Sequence, residues 1–166
     1  MKDGKTIAIV PGSFDPITYG HIDIVKRATE LYDTVYLAVM INDQKKYLFN
    51  IEERELIAQL ALENIENVTV ISSSGMLWKL AEELCADAIV KGYRNQTDYD
   101  YEMKMAEFNA EHNPNARTVL LKASENLEFL SSTFVRQEIA ENGTLDRFLP
   151  SKAAAKIKEI LLSKEK

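Results

Sequence analysis

At 166 residues the chain fits one domain, 1–166, and its 46% hydrophobic content is enough for a sizeable core. A net charge of −6 and a pI near 5.1 exclude a general nucleic-acid binder, which needs a basic stripe, but not a small anionic substrate held in a local basic pocket. A single cysteine, Cys85, excludes an intrachain disulfide, and no run approaches the ~18 apolar residues of a membrane span, so neither a nucleic acid nor a membrane is an expected partner and the cytoplasm is the expected location.

Residues 6–10 (TIAIV) form a continuous apolar run, as expected of a strand buried on both faces. The segment 11–21 (PGSFDPITYGH) is a glycine-containing turn, and residues 22–32 carry a helical stripe of Ile22, Val25, Ala28 and Tyr32. Residues 34–40 (TVYLAVM) read as a second buried strand, followed by a polar loop, 41–49, with Lys45 and Lys46. Asn50 with Glu53 has the spacing of a capping box for the next helix. A third strand is predicted at 68–72, a serine-rich loop at 72–75 and a short helix at 76–85, where Leu84 and Ala86 suggest a buried Cys85 thiol.

A fourth strand is predicted at 87–91, stopped by Gly92, then a polar loop at 93–98 and a long helix at 99–112 with Tyr99, Met103, Ala106 and Ala110 on its inner side. A fifth strand follows at 117–122, a loop at 127–131, a helix at 132–142 with Gly143 as its stop, and a last helix from Pro150. Trp78 and Met103 to Met105 read as core or subunit contact, and His112 as a partner of its helix dipole.

Strands alternating with helices predict an α/β, Rossmann-like, doubly wound five-stranded parallel sheet with helices on both faces. Ligands in such sheets bind beyond the carboxyl ends of the strands. Five such ends are readable: Val10 into GSFD, Met40 into the lysine loop, Ser72 into SSG, Lys91 into GYR, and Lys122 into the serine loop. The unusual polar groups follow these ends, which points to one site there. Periodicity leaves the strand order open.

A strand, a glycine-containing turn and a helix in succession bring free backbone N–H groups and a positive helix end to one point, which suits a phosphate. His21 adds an imidazole there. No Gly-Lys-Ser/Thr and no G-x-G-x-x-G is present, so the turn is neither a Walker loop nor a dinucleotide fingerprint; an ordinary strand-to-helix turn with one surface histidine is the plain alternative. Lys45, Lys91, Arg94 and Arg136 supply cations near the strand ends. Residues 130–136 (LSSTFVR) can cap a helix, or hold a triphosphate with Arg136 adding charge.

The T-x-G-H string at 18–21 and the S-S-T-x-x-R string at 131–136 resemble the two signatures of the nucleotidylyltransferase superfamily. The whole string from Gly12 to His21 resembles that of its bacterial phosphopantetheine adenylyltransferase family, and the resemblance runs along almost the whole chain. It implies transfer of the adenylyl group of ATP to 4′-phosphopantetheine, with Mg²⁺, in a homohexamer open to feedback by coenzyme A. By position it implies His21 and Lys45 as catalytic, and Ser13, Lys45, Leu77 and Lys91 as contacts of the acceptor. It assigns ATP to Ser13, Phe14 and His21, to Gly92, Tyr93, Arg94 and Glu102, and to the loop of Leu127, Glu128, Phe129, Leu130, Ser131, Ser132 and Thr133, with no residue as a metal ligand. Lys91 stands where many members have arginine; it keeps the charge and loses the bidentate fork.

An attacking phosphate is already ionised, so neither a general base nor a covalent intermediate is required. His21 is expected to donate to the α-phosphate, with nearby phosphates favouring its protonated form. Two rival readings are another nucleotidylyltransferase with a different phosphorylated acceptor, and a regulatory nucleotide-binding module without turnover.

Overall fold

A computed structural model describes residues 4–165. Five parallel strands form one sheet in the order β3-β2-β1-β4-β5: β1 (Ile7–Gly12), β2 (Thr34–Met40), β3 (Val68–Ser73), β4 (Ala88–Tyr93) and β5 (Arg117–Lys122). Helices α1 (Tyr19–Leu31), α2 (Ile51–Ala61), α3 (Leu77–Glu83), α4 (Gln96–His112), α5 (Ser132–Ala140) and α6 (Ser151–Lys164) complete the fold.

Alternation along the strands divides the core. Ala8, Val10, Leu37 and Val90 face a large cluster containing Val25 of α1, Ile57 of α2 and Ile157 of α6. Ile9, Ala38 and Ile89 face a smaller cluster with Leu80 and Ala81 of α3. A side-chain period of two on strands buried on both faces gives this double core.

The register shows where the sheet opens. β1 pairs with β2 as far as Gly12 opposite Val39, but with β4 only through Ala8 opposite Ala88 and Ile9 opposite Ile89. β4 meanwhile stays paired with β5 to its end, Tyr93 opposite Lys122. Beyond Ile9, β1 and β4 therefore part, at the point where the chain order reverses, and a cleft begins between their carboxyl ends.

The sequence places β2 and β5 correctly and several other boundaries differently. α1 begins at Tyr19, three residues earlier than its apolar stripe, because Thr18 is its cap and His21 replaces the usual Glu or Gln at the third position of a capping box. The predicted Asn50–Glu53 box forms as read, with Glu53 N–H to Asn50 Oδ1 at 2.8 Å and Asn50 N–H to Glu53 Oε1 at 2.9 Å. α4 begins at Gln96 rather than 99, with Asn95 as its cap. Its expected inner face is misread: Met103 is exposed, and Asn109 is its one buried residue.

Cys85 is exposed, against the expected burial, since it holds the left-handed position (φ 54°) after α3, with Cys85 N–H to Glu82 O and Ala86 N–H to Ala81 O closing a Schellman turn. α5 stops in the same way at Asn142 (φ 56°), one residue before Gly143, with Asn142 N–H to Ile139 O and Gly143 N–H to Glu138 O.

Gly92 does not stop β4. It lies within the strand, and a Cβ at this position would meet Cγ1 of Ile24 at 2.9 Å and its Cδ1 at 3.0 Å. The missing side chain is what lets α1 lie close against β4. Gly92→Ala should therefore destabilise the fold by about 1–3 kcal/mol. Combined with Ile24→Ala, urea denaturation should show a double variant more stable than the two losses added, because the new methyl enters the space the isoleucine leaves.

Candidate functional site: the cleft between β1 and β4

The cleft encloses about 870 Å³, its open mouth included. Val10, Pro11 and Gly12 form one wall and Lys91, Gly92 and Tyr93 the other. Phe14, Thr18, Gly20 and His21 close the α1 end, and Leu127, Leu130, Ser131 and Ser132 the α5 end. Arg94 and Asp98 stand at the start of α4.

Phe14 fixes the turn after β1. Its ring is buried beneath the position a Gly12 Cβ would occupy, 3.0 Å from it, and meets His21 edge-on with centroids 5.0 Å apart. The left-handed backbone at Phe14 (φ 47°) costs about 1–2 kcal/mol for an ordinary residue, and burial of the ring offsets it.

The N-terminus of α1 does not offer the free donors that the strand–turn–helix order suggests. Tyr19 N–H goes to Phe148 O at 2.8 Å, Gly20 N–H to Thr18 Oγ1 at 3.1 Å, and Ile22 N–H to Thr18 O at 3.0 Å. What reaches the cleft is the imidazole. Thr18 N–H donates to His21 Nδ1 at 3.0 Å, so Nδ1 is an acceptor and the proton of a neutral ring sits on Nε2. Burial, and secondly the positive charge of Arg94, push the His21 pKa from 6.5 down to about 4. In the ligand-free protein His21 is therefore a neutral donor; the protonated form expected from the sequence is one that bound phosphates would favour.

The α5 end does carry free donors. Ser131 Oγ accepts Phe134 N–H at 3.1 Å as a cap, while the N–H groups of Ser132 and Thr133 have no acceptor among the described residues. Ser132 Oγ donates to Pro16 O at 2.7 Å and ties α5 to the β1 turn. Arg136 is not a free cation: it donates to Asp15 O at 2.9 Å and Thr133 Oγ1 at 3.0 Å, and lies 3.8 Å from the Asp15 carboxylate. The buried Asp15 carboxylate also accepts Leu48 and Phe49 N–H, at 2.9 and 3.0 Å.

On the opposite wall Lys91 Nζ lies 2.9 Å from Glu102 Oε2, which has no accessible surface and no well-angled hydrogen-bond donor, so the pair is held by charge. Arg94 is steadied by Asp98, which accepts the Arg94 N–H at 3.1 Å and lies 3.4 Å from its Nε. Asp98 and Thr18 are cleft residues that the sequence reading did not assign; the i,i+4 spacing of Arg94 and Asp98 was the available signal.

Several expected site residues do not line the cleft. Lys45 is exposed on the loop after β2. Ser13 presents its carbonyl to Arg54, Glu102 stands behind Lys91, and Glu128, Phe129 and Thr133 lie outside the lining, Phe129 largely exposed. Leu77 packs with the smaller core cluster. Next to it, Ser72, Ser73, Met76 and Leu80 line a second hollow at the ends of β2 and β3. Among the described residues no group of three or more His, Cys, Asp or Glu could hold a metal ion, and no helix is long and apolar enough to cross a membrane.

A parallel sheet opening at its switch point, with an imidazole and two cations on its rim, suits a phosphorylated ligand, and the cytidylyltransferase-like family model, that of nucleotidyltransferases, matches residues 9–138. Similar proteins from several bacteria carry the name phosphopantetheine adenylyltransferase. That of Lactobacillus acidophilus is 42% identical over 94% of this chain and 98% of its own length, and that of Caldanaerobacter subterraneus 40% over 92% and 96%. That of Clostridium novyi is 39% identical over 93% of this chain and 94% of its own length. At this identity over nearly the full length, the chain belongs to the phosphopantetheine adenylyltransferase family.

Proposed function

We propose that this protein transfers the adenylyl group of ATP to 4′-phosphopantetheine, giving dephospho-coenzyme A and pyrophosphate. The observation that carries this reading is the cleft at the β1/β4 divergence, with His21, Lys91 and Arg94 on its walls and open N–H groups at the start of α5.

The acceptor phosphate attacks the α-phosphorus. A new P–O bond forms there as the bond to the bridging oxygen breaks, and pyrophosphate leaves. The chain's task is to align two anions that repel one another and to stabilise charge on the α-phosphate oxygens. His21 Nε2–H is the donor to those oxygens. Lys91 and Lys45 orient the acceptor phosphate, while Arg94 and the N–H groups of Ser132 and Thr133 take the β- and γ-phosphates. Ser13, Phe14, Gly92, Tyr93 and the loop 127–133 shape the nucleotide site, and the hollow beside Leu77 receives the pantetheine arm.

Mg²⁺ is the proposed counter-ion of the ATP phosphates, where it would spread their negative charge. The cytoplasm, where ATP is made and used, is the proposed location. A homohexamer is the proposed assembly: Tyr101, Met103, Met105 and Phe108 leave apolar surface on α4 for contacts between copies. Feedback by coenzyme A would act by occupying the acceptor side of the cleft.

The test is pyrophosphate release from ATP and Mg²⁺ with each candidate acceptor in turn. Release with 4′-phosphopantetheine alone is the expected result. Release with nicotinate mononucleotide instead would move the acceptor, and nucleotide binding without release would make the protein a regulatory module.

A further inference from the structure

One buried cation has no part in the chemistry above. Arg54 of α2 is 2% exposed, and among the described residues no carboxylate lies within ion-pairing distance of it. Its guanidinium is satisfied by three backbone carbonyls: Nη1 donates to Ser13 O at 2.8 Å and Met40 O at 3.2 Å, and Nε to Phe49 O at 3.2 Å. These carbonyls belong to the turn after β1, the end of β2, and the far end of the loop that carries Lys45. A charge held this way, with no counter-ion, is costly unless the geometry it fixes is worth keeping.

A second contact extends the anchorage into the loop. The Tyr47 ring lies on the guanidinium, its centroid 3.8 Å from Cζ. The Tyr47 hydroxyl accepts Asn42 N–H at 3.0 Å. Asn42 in turn accepts Gln44 N–H on Oδ1 and Lys45 N–H on its carbonyl, both at 2.9 Å. Every step from Arg54 to the Lys45 backbone is thus a direct contact. Leu48 and Phe49 are held independently by Asp15, Leu48 O also by Lys164 at 3.2 Å, and Ile41 N–H by Ser73 O at 2.9 Å, so among the described residues Tyr47 is the side chain from outside the arc 42–46 that restrains it.

We propose that Arg54 and Tyr47 form a bracket that positions Lys45 relative to the turn under the nucleotide, so that the acceptor's lysine and the Ser13–Phe14 turn keep one spacing. Both are positioning residues, and lysine at 54 could not replace the arginine, having neither the planar face for the ring nor the fork for three carbonyls. The bracket rests on the reading of Lys45 as an acceptor contact.

Tyr47→Phe keeps the ring over Arg54 and removes only the hydroxyl, so the fold is retained. Steady-state kinetics with ATP, Mg²⁺ and 4′-phosphopantetheine should show the acceptor KM raised roughly 3–10-fold, as for one lost hydrogen bond, with the ATP KM and the melting temperature unchanged. Tyr47→Leu, which also uncovers the guanidinium, should raise it further. In a Lys45→Ala background Tyr47→Phe should add nothing, because what it positions is gone. If Tyr47→Phe adds its full effect to a strong Lys45→Ala defect, or raises both KM values alike, the bracket is overturned while Lys45 stands. If Lys45→Ala leaves the acceptor KM unchanged, the reading of Lys45 fails first and the bracket with it.

Discussion

His21→Gln should lower kcat by on the order of 10²–10³, the loss seen when one transition-state donor is removed, while the ATP KM and the melting temperature near pH 7 stay close to those of the parent. Glutamine is the informative replacement because the residue has two functions. Its Nδ1 accepts Thr18 N–H and closes the cap of α1, a contact that a glutamine side chain can also make from the third helical position. Only the Nε2–H directed at the substrate is lost. His21→Ala should lose the cap as well, and with it about 1 kcal/mol of stability. Near-parental kcat in His21→Gln would remove the proposed donor role.

The same side chain sets a pH signature for stability. The unfolded chain takes up a proton at His21 near pH 6.5, and the folded chain does not until about pH 4. Between these values the unfolded state binds more protons, so stability is full above about 6.5 and falls as the pH drops toward 4. The 2.5-unit interval, 6.5 minus 4, sets an upper bound of about 3 kcal/mol, reduced in practice because the residue keeps some exposure to the cleft. Denaturation at pH 4.5 and pH 7 should differ less in His21→Gln than in the parent. No His21 ionisation should appear in the free protein's kcat/KM profile between pH 6 and 8.

Local signals were legible in the sequence wherever one residue or one short spacing decides the structure. TVYLAVM and RTVLLK are strands over the bounds their β-branched and apolar residues predict, and Asn50 with Glu53 specifies its own cap. The strand-end rule brought His21, Lys91, Arg94, Ser131 and Ser132 to one cleft, because in a parallel sheet the carboxyl ends share one edge, but Lys45 and the serine loop after β3 lie outside its lining. What failed was whatever depends on a distant partner. Gly92 looks like a terminator until Ile24, far away in sequence, is seen to fill the space above it. The tie from Arg136 to the Asp15 carbonyl, made across the fold, is likewise invisible in the string S-S-T-x-x-R. Strand order and the early parting of β1 from β4 are non-local pairings, and no periodicity encodes them.

Lys91→Met is expected to damage the protein twice, and the two injuries should be separable. Lys91 Nζ is the charge facing Glu102 Oε2, an oxygen with no accessible surface and no well-angled donor. Removing the ammonium leaves a carboxylate, 12% exposed, without its partner; with Lys91 itself 27% exposed, breaking this partly buried pair from one side costs about 1–3 kcal/mol. It also removes the cation that the β4 wall presents to the acceptor phosphate, so kcat/KM should fall by at least the 10² associated with one lost charged contact. Adding Glu102→Gln neutralises the stranded oxygen. Urea denaturation of Lys91→Met/Glu102→Gln should then recover most of the lost stability, while pyrophosphate release stays as low as in the single variant. Recovery of turnover along with stability would mean that Lys91 serves only to neutralise Glu102 and that the acceptor phosphate is held elsewhere. Glu102→Gln alone is the complementary case. It frees Lys91 of its tether without removing the charge, so turnover should persist with a raised acceptor KM, because the ammonium no longer has a fixed place from which to meet the phosphate.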